Sequence, residues 1–236
     1  METLLDTVNN ILPEIGFPTL TTVVGNTNQT AVQTLALANR TGKQLARKPW
    51  RILVKRNVFT TVSSAEAYAL PNDFSYFIQD TEWNQSNTEF MSGPLSDERW
   101  QADLSGLITT TVNDRFQIRA AANENRFFIR PVPTAAENIT FFYASKNWCR
   151  SSSGARRSEW AADDDVLLLD QESYELELKW RLLRAQRREF QHEQAEAMRV
   201  TNTAYARDGG MKNYRILGPI EDVMPEGRTP ETNFGT

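Results

Sequence analysis

Apolar residues recur every three to four positions at the start of the chain and near its end, and every two positions in between. Leu4, Leu5, Val8, Ile11, Leu12 and Ile15 give one apolar face to a helix over 3–15, which Gly16 and Pro18 stop. A second helix is predicted over 29–47, with Asn28 as N-cap, Val32, Leu35, Ala36 and Leu45 on its apolar side and Pro49 beyond its end. From Trp50 the period changes. Ile52, Val54, Val58, Phe59 and Val62 are β-branched or aromatic and open a β-rich insertion over about 50–148. Ser96 caps a short helix over 96–106, on which Trp100 and Leu104 face inward. Strands at Phe116–Ala120, Arg126–Val132 and Ile139–Ser145 follow, read together as an antiparallel meander.

The longest predicted element is a helix over 171–207, capped by Asp170 and about 55 Å long at 1.5 Å per residue. Its first half carries two apolar stripes. Tyr174, Leu178, Leu182 and Ala185 form one, and Leu176, Trp180, Leu183 and Phe190 the other. A helix that apolar requires cover on two sides, and one of them is available to a neighbouring subunit. After Gly209-Gly210 the sequence is rich in Pro and Gly with scattered apolar residues and no period, which reads as an extended arm over 210–236. The fold class expected is therefore α+β. It comprises a helical bundle with one long helix in the C-terminal half, a small antiparallel β meander and an extended C-terminal arm, with 1–209 as a single domain.

Composition narrows the function. The chain has 236 residues, 40% hydrophobic and 24% charged, enough for a core without disulfides or metals. No apolar run reaches the roughly 18 residues that span a bilayer, and Met1-Glu2-Thr3 lacks a signal-peptide layout. The single Cys149 excludes an internal disulfide, which fits synthesis in a reducing cytosol. A net charge of −4 argues against a protein that grips nucleic acid.

Catalytic, cofactor and metal sites are all expected to be absent. His192, the only histidine, falls on the polar side of the long helix, and no Gly-x-Ser-x-Gly elbow accompanies it. Arg150 could activate the Cys149 thiolate, but no base is designated for it, so an inert thiol is the better reading. Asp163-Asp164-Asp165 lacks EF-hand spacing and reads as a solvated acidic loop. Asp80 with Glu82, and Asp97 with Glu98, are the available glycosidase-like carboxylate pairs. Lys179, Arg181, Arg184, Arg187 and Arg188 form the one basic cluster. Glu175–Lys179 and Glu177–Arg181 have the stabilising i,i+4 order, so the cluster reads as a salt-bridged helix face that could also meet acidic neighbours or passing DNA phosphates.

Four passages resemble the head-to-tail adaptor (connector) proteins of tailed phages. They are Leu37-Ala38-Asn39-Arg40 followed by Trp50; Tyr68-Ala69-Leu70-Pro71-Asn72-Asp73-Phe74 followed by Asp80-Thr81-Glu82-Trp83; Gly93-Pro94-Leu95-Ser96 followed by Trp100; and Ala162 to Val166, then Leu167-Leu168-Leu169 and Lys179-Trp180-Arg181, closed by Arg207-Asp208-Gly209-Gly210. The resemblance implies a structural virion protein at the head-tail junction. Such a protein forms a ring, commonly of about twelve copies, bound under the portal protein, with heterologous contacts between subunits. It would extend the DNA channel without specific DNA binding, receive tail nozzle or hub proteins and touch no membrane. By exposure, Leu176, Trp180 and Leu183 are assigned to ring packing, and Tyr214, Ile216, Leu217 and Ile220 to docking on the portal or a neighbour. The alternatives are a distal tail-nozzle or head-completion protein, or a virion-associated cell-wall hydrolase.

Overall fold

A computed structural model of the chain describes residues 2–106, 114–121 and 124–209. Its helices are α1 (Leu4–Glu14), α2 (Gln29–Leu45), α3 (Asp97–Leu104), α4 (Gln171–Ala185) and α5 (Gln191–Arg207). The strands are β1 (Val54–Thr60), β2 (Ala67–Ala69), β3 (Phe74–Phe77), β4 (Trp83–Asn84), β5 (Glu89–Phe90), β6 (Arg115–Ala121), β7 (Glu124–Arg130), β8 (Asn138–Ser145), β9 (Cys149–Arg150), β10 (Arg156–Arg157) and β11 (Val166–Leu167).

The helices close around one core. Thr3 and Asp6 form a capping box that starts α1, and Asn28 and Asp170 cap α2 and α4 through Thr30 N–H and Ser173 N–H, both at 2.9 Å. Leu4, Val8 and Leu12 of α1 meet Ala38 and Leu45 of α2 and Tyr174, Leu178 and Leu182 of α4. The inward face of α2 is small: Ala31, Thr34, Ala38, Thr41 and Gly42 are buried, while Val32 is 52% exposed. The reason is Trp148, which lies fully buried against this helix. A Cβ on Gly42 would fall 2.4 Å from its ring. Trp160 Nε1 donates to Tyr174 Oη, and that hydroxyl donates to the Ala38 carbonyl, each at 2.8 Å.

The strands build a second core. One sheet has the order β1-β8-β4-β5, with β3 also paired to β8, and a second has the order β2-β7-β6. Their inner faces meet through aromatic rings. Phe127 lies parallel to Phe116 at 4.7 Å and to Phe141 at 5.6 Å, and Phe59 and Phe77 edge the stack. Helix α3 covers the outer face of the second sheet, where Trp100 meets Phe128 edge-on at 6.4 Å and Gln117 Nε2 donates to Asp97 at 2.7 Å. The third sheet, β10-β9-β11, sits beside the helices.

Several expectations are corrected. The helix over 171–207 is two helices. Arg187 takes φ +59°, Arg188 N–H donates to the Leu183 carbonyl and Arg187 N–H to that of Arg184, both at 3.0 Å. These bonds make a Schellman ending with arginine where glycine is usual, so the sequence carries no sign of the break. Helix α5 returns along α4, and Phe190 stacks on Trp180 at 6.1 Å, so the chain itself covers part of the second apolar stripe. The meander is also revised. Strand β8 leaves β7 for the other sheet after a connection containing Pro131 and Pro133, neither of which can donate to a ladder. Leu104 is 40% exposed, whereas Trp100 is buried. The arm over 210–236 lies outside the described residues.

Two stability measurements test these packing causes. Arg187→Gly should raise the unfolding free energy by about 0.5–1 kcal/mol, since glycine relieves the left-handed strain at some entropic cost. A lowered urea midpoint would contradict that cause of the helix break. Gly42→Ala should lower stability by about 1–3 kcal/mol with a changed near-UV tryptophan signal, because the α2–Trp148 contact has no room for a methyl group. An unchanged midpoint and spectrum would contradict it.

Candidate functional site

The residues that carry the family resemblance act as fasteners. Asp165 is fully buried and accepts hydrogen bonds from Ala161 N–H, Ala162 N–H and Arg157 Nη1, at 2.7–3.1 Å. Asp163 accepts from Val23 N–H and Val24 N–H at 3.0 and 2.8 Å, tying the α1–α2 connection to the same loop. Asn39 Oδ1 accepts from Trp160 N–H at 2.8 Å. Asp73 accepts from Lys55, Ser145 and Tyr143, joining β1 and β8 to the turn before β3. Burial pushes its carboxyl up, but the three hydrogen bonds outweigh burial and hold it below the usual carboxylate range. Gly93 approaches Phe116 so closely that a Cβ would lie 2.5 Å from its carbonyl oxygen. Asp208 accepts from Arg51 N–H at 2.6 Å.

The basic cluster is similarly engaged. Lys179 pairs with Glu14 of α1 at 2.7 Å rather than with Glu175, whose carboxylate accepts from Gln171 and Asn10. Arg181 pairs with Glu177 at 2.6 Å, as its spacing predicts, and also reaches Gln44 at 2.9 Å. Arg188 donates to the Ile15 carbonyl. Arg184 is exposed beside the Phe190 ring.

No candidate catalytic group is placed for chemistry. His192 is exposed on α5. Cys149 is buried, and burial, followed by the nearby Asp165 charge, pushes its thiol up to about 12 despite Arg157. Glu82 is fully buried, so no saccharide could reach it, and burial raises its carboxyl. Its expected partner Asp80 is exposed. Asp97 is bonded to Gln117, and Glu98 is exposed. Among the described residues no cluster of three or more His, Cys, Asp or Glu could hold a metal ion, and no helix is long and apolar enough to cross a membrane.

Two surface features remain. The first is the outer face of the larger sheet. Register places Val58, Thr140, Trp83 and Phe90 in one row across β1, β8, β4 and β5, with Arg56 and Phe142 in the next. Val58 is 50% exposed and Phe142 40%, while Trp83 and Phe90 are half-buried. This row was not foreseen in the sequence. The signal was there in Phe141-Phe142, because consecutive strand residues point to opposite faces and one of two adjacent aromatics must leave the core.

The second surface is a groove between α2 and α4 of about 420 Å³, lined by Leu37, Arg40, Gln44, Trp180, Arg184 and Ala185, with Arg181 at its base. Trp180 is 8% exposed, its indole N–H donates to Glu177 at 2.8 Å, and it is among the residues lining the groove. Leu176 is half-buried, and Leu183, 5% exposed, belongs to the helical core. Trp180 and Leu183 are thus both buried within the subunit, and of the two only Trp180 lines the groove. Tyr214, Ile216, Leu217 and Ile220 lie outside the described residues.

No curated protein matches the chain. A family profile described as SU10 adaptor protein matches residues 2–216. That span includes all four resembling passages and nearly the whole sequence, and the chain therefore belongs to the SU10 adaptor protein family, a family of phage structural adaptors.

Proposed function

We propose that this adaptor forms a ring of about twelve copies beneath the portal, extends the DNA channel and docks the tail. Residues 1–209 act as the adaptor body and 210–236 as an arm. The observation that carries the reading is the aromatic row on the outer sheet face. A sheet leaves Val58 and Phe142 partly toward water only at a cost in apolar exposure, and apolar exposure of this kind suits a partner site. The motif residues, by contrast, are bonded within the subunit, so assembly uses surface the motifs do not occupy. Ring contacts are assigned to the outer sheet face and to the Leu176–Trp180 side of α4. Tyr214, Ile216, Leu217 and Ile220 are assigned to the portal or a neighbour. The net charge of −4 suits a wall past which DNA slides without adhering.

Light scattering of the purified protein, alone and mixed with its portal, tests the reading. A monomer or small oligomer should become a stoichiometric ring on the portal, and absence of association at every salt concentration would contradict it. Val58→Asp with Phe142→Asp, with folding checked by circular dichroism, tests the sheet face itself. The pair should weaken association by at least about 30-fold, the ~2 kcal/mol of a lost anchor. Undiminished association would remove the sheet face from the interface.

A further inference from the structure

The groove between α2 and α4 is basic and incompletely neutralised. Arg40, Arg181 and Arg184 surround it, and Leu37, Trp180 and Ala185 supply apolar wall. Arg181 is answered by Glu177. Among the described residues Arg40 and Arg184 have no carboxylate partner, and Arg184 only lies beside Phe190. Two exposed guanidinium groups flanking an apolar cleft define the missing occupant: a short segment with carboxylates on either side of small apolar residues.

The chain contains such a segment outside its described part. Glu221-Asp222-Val223-Met224-Pro225-Glu226 places three carboxylates around Val223 and Met224. The described chain leaves α5 beside the C-terminal end of α2. Lys48 reaches Asn202 at 2.8 Å, Trp50 meets Tyr205 edge-on at 5.6 Å, and Asp208 is bonded to Arg51 N–H. From Gly209 to Glu221 an extended chain spans up to roughly 40 Å. The stretch of α2 from Leu37 to Leu45 is only about 12 Å long. The tether is therefore slack, and it holds the segment at an effective concentration near millimolar, above the concentration of any other copy in dilute solution.

We propose that residues 221–226 occupy the α2–α4 groove of their own chain. Glu221, Asp222 and Glu226 meet Arg40 and Arg184, and Val223 and Met224 cover Leu37 and the Trp180 edge. The proposal goes beyond the ring reading and does not depend on it. It leaves Tyr214, Ile216, Leu217 and Ile220 for the portal or a neighbour, and it makes the groove a surface covered in the free subunit, so that a ring contact at Trp180 displaces the segment.

The test uses the full chain carrying Ala185→Cys and Val223→Cys, oxidised at low protein concentration, with the buried Cys149 left in place. The products are sized by non-reducing electrophoresis and light scattering, without portal. The expected product is a cross-linked monomer, formed about tenfold faster than in the same chain with Glu221→Lys, Asp222→Lys and Glu226→Lys. Cross-linked dimers or larger species as the main product would overturn the proposal in favour of a groove that receives the segment of a second copy. Equal rates with and without charge reversal, or no cross-link at all, would also overturn it. Because no portal is present, none of these outcomes tests portal docking.

Discussion

The reversal at Arg187 sets the geometry of the whole body. A helix that continued past Ala185 would carry Phe190, Ala197 and Thr201 away from the core. The left-handed residue sends α5 back, and Phe190, Ala204 and Tyr205 then pack on the cluster that α1, α2 and α4 form. The same return brings Tyr205 under Trp50, Lys48 to Asn202 and Asp208 to Arg51, just ahead of β1. The position of the first strand relative to the helices thus follows from a turn more than a hundred residues later. The larger sheet inherits that position, because β8 pairs with β1 along its full length.

The elements with local signals were legible in the sequence. Thr3, Asn28, Ser96 and Asp170 cap the helices whose starts were expected, and Phe116, Phe127 and Phe141 build the strand core. What escaped was decided by long-range contact. Helix α2 buries alanine, threonine and glycine because Trp148 presses on it, which reverses the choice that size and hydropathy make for Val32. The end of α4 has no glycine or asparagine to announce it. Strand β8 joins the opposite sheet because its partners β1, β3 and β4 are distant in sequence. The outer sheet face was the least legible part. Apolar strand residues read as core from sequence, and only register separates Phe141 from Phe142.

The fasteners also account for the acidic residues of the resembling passages in this chain. Asp163 and Asp165 are consumed by backbone N–H groups and Arg157, and Asp73 by three side-chain donors. Carboxylates engaged this way hold loops rather than substrates or cations. The loops are thereby tied to the helices and strands, and the exposed sheet face takes no part in these bonds. The proposed ring would need each subunit to present two different surfaces at a fixed angle.

Side-chain oxidation footprinting of the free and portal-bound adaptor tests this division most directly. The account predicts strong protection of Val58, Trp83, Phe90 and Phe142 on binding, with Phe116, Phe127 and Phe141 slow to react in both states. Unchanged oxidation of the outer row in a complex that has formed would contradict the account and move the interface elsewhere on the body.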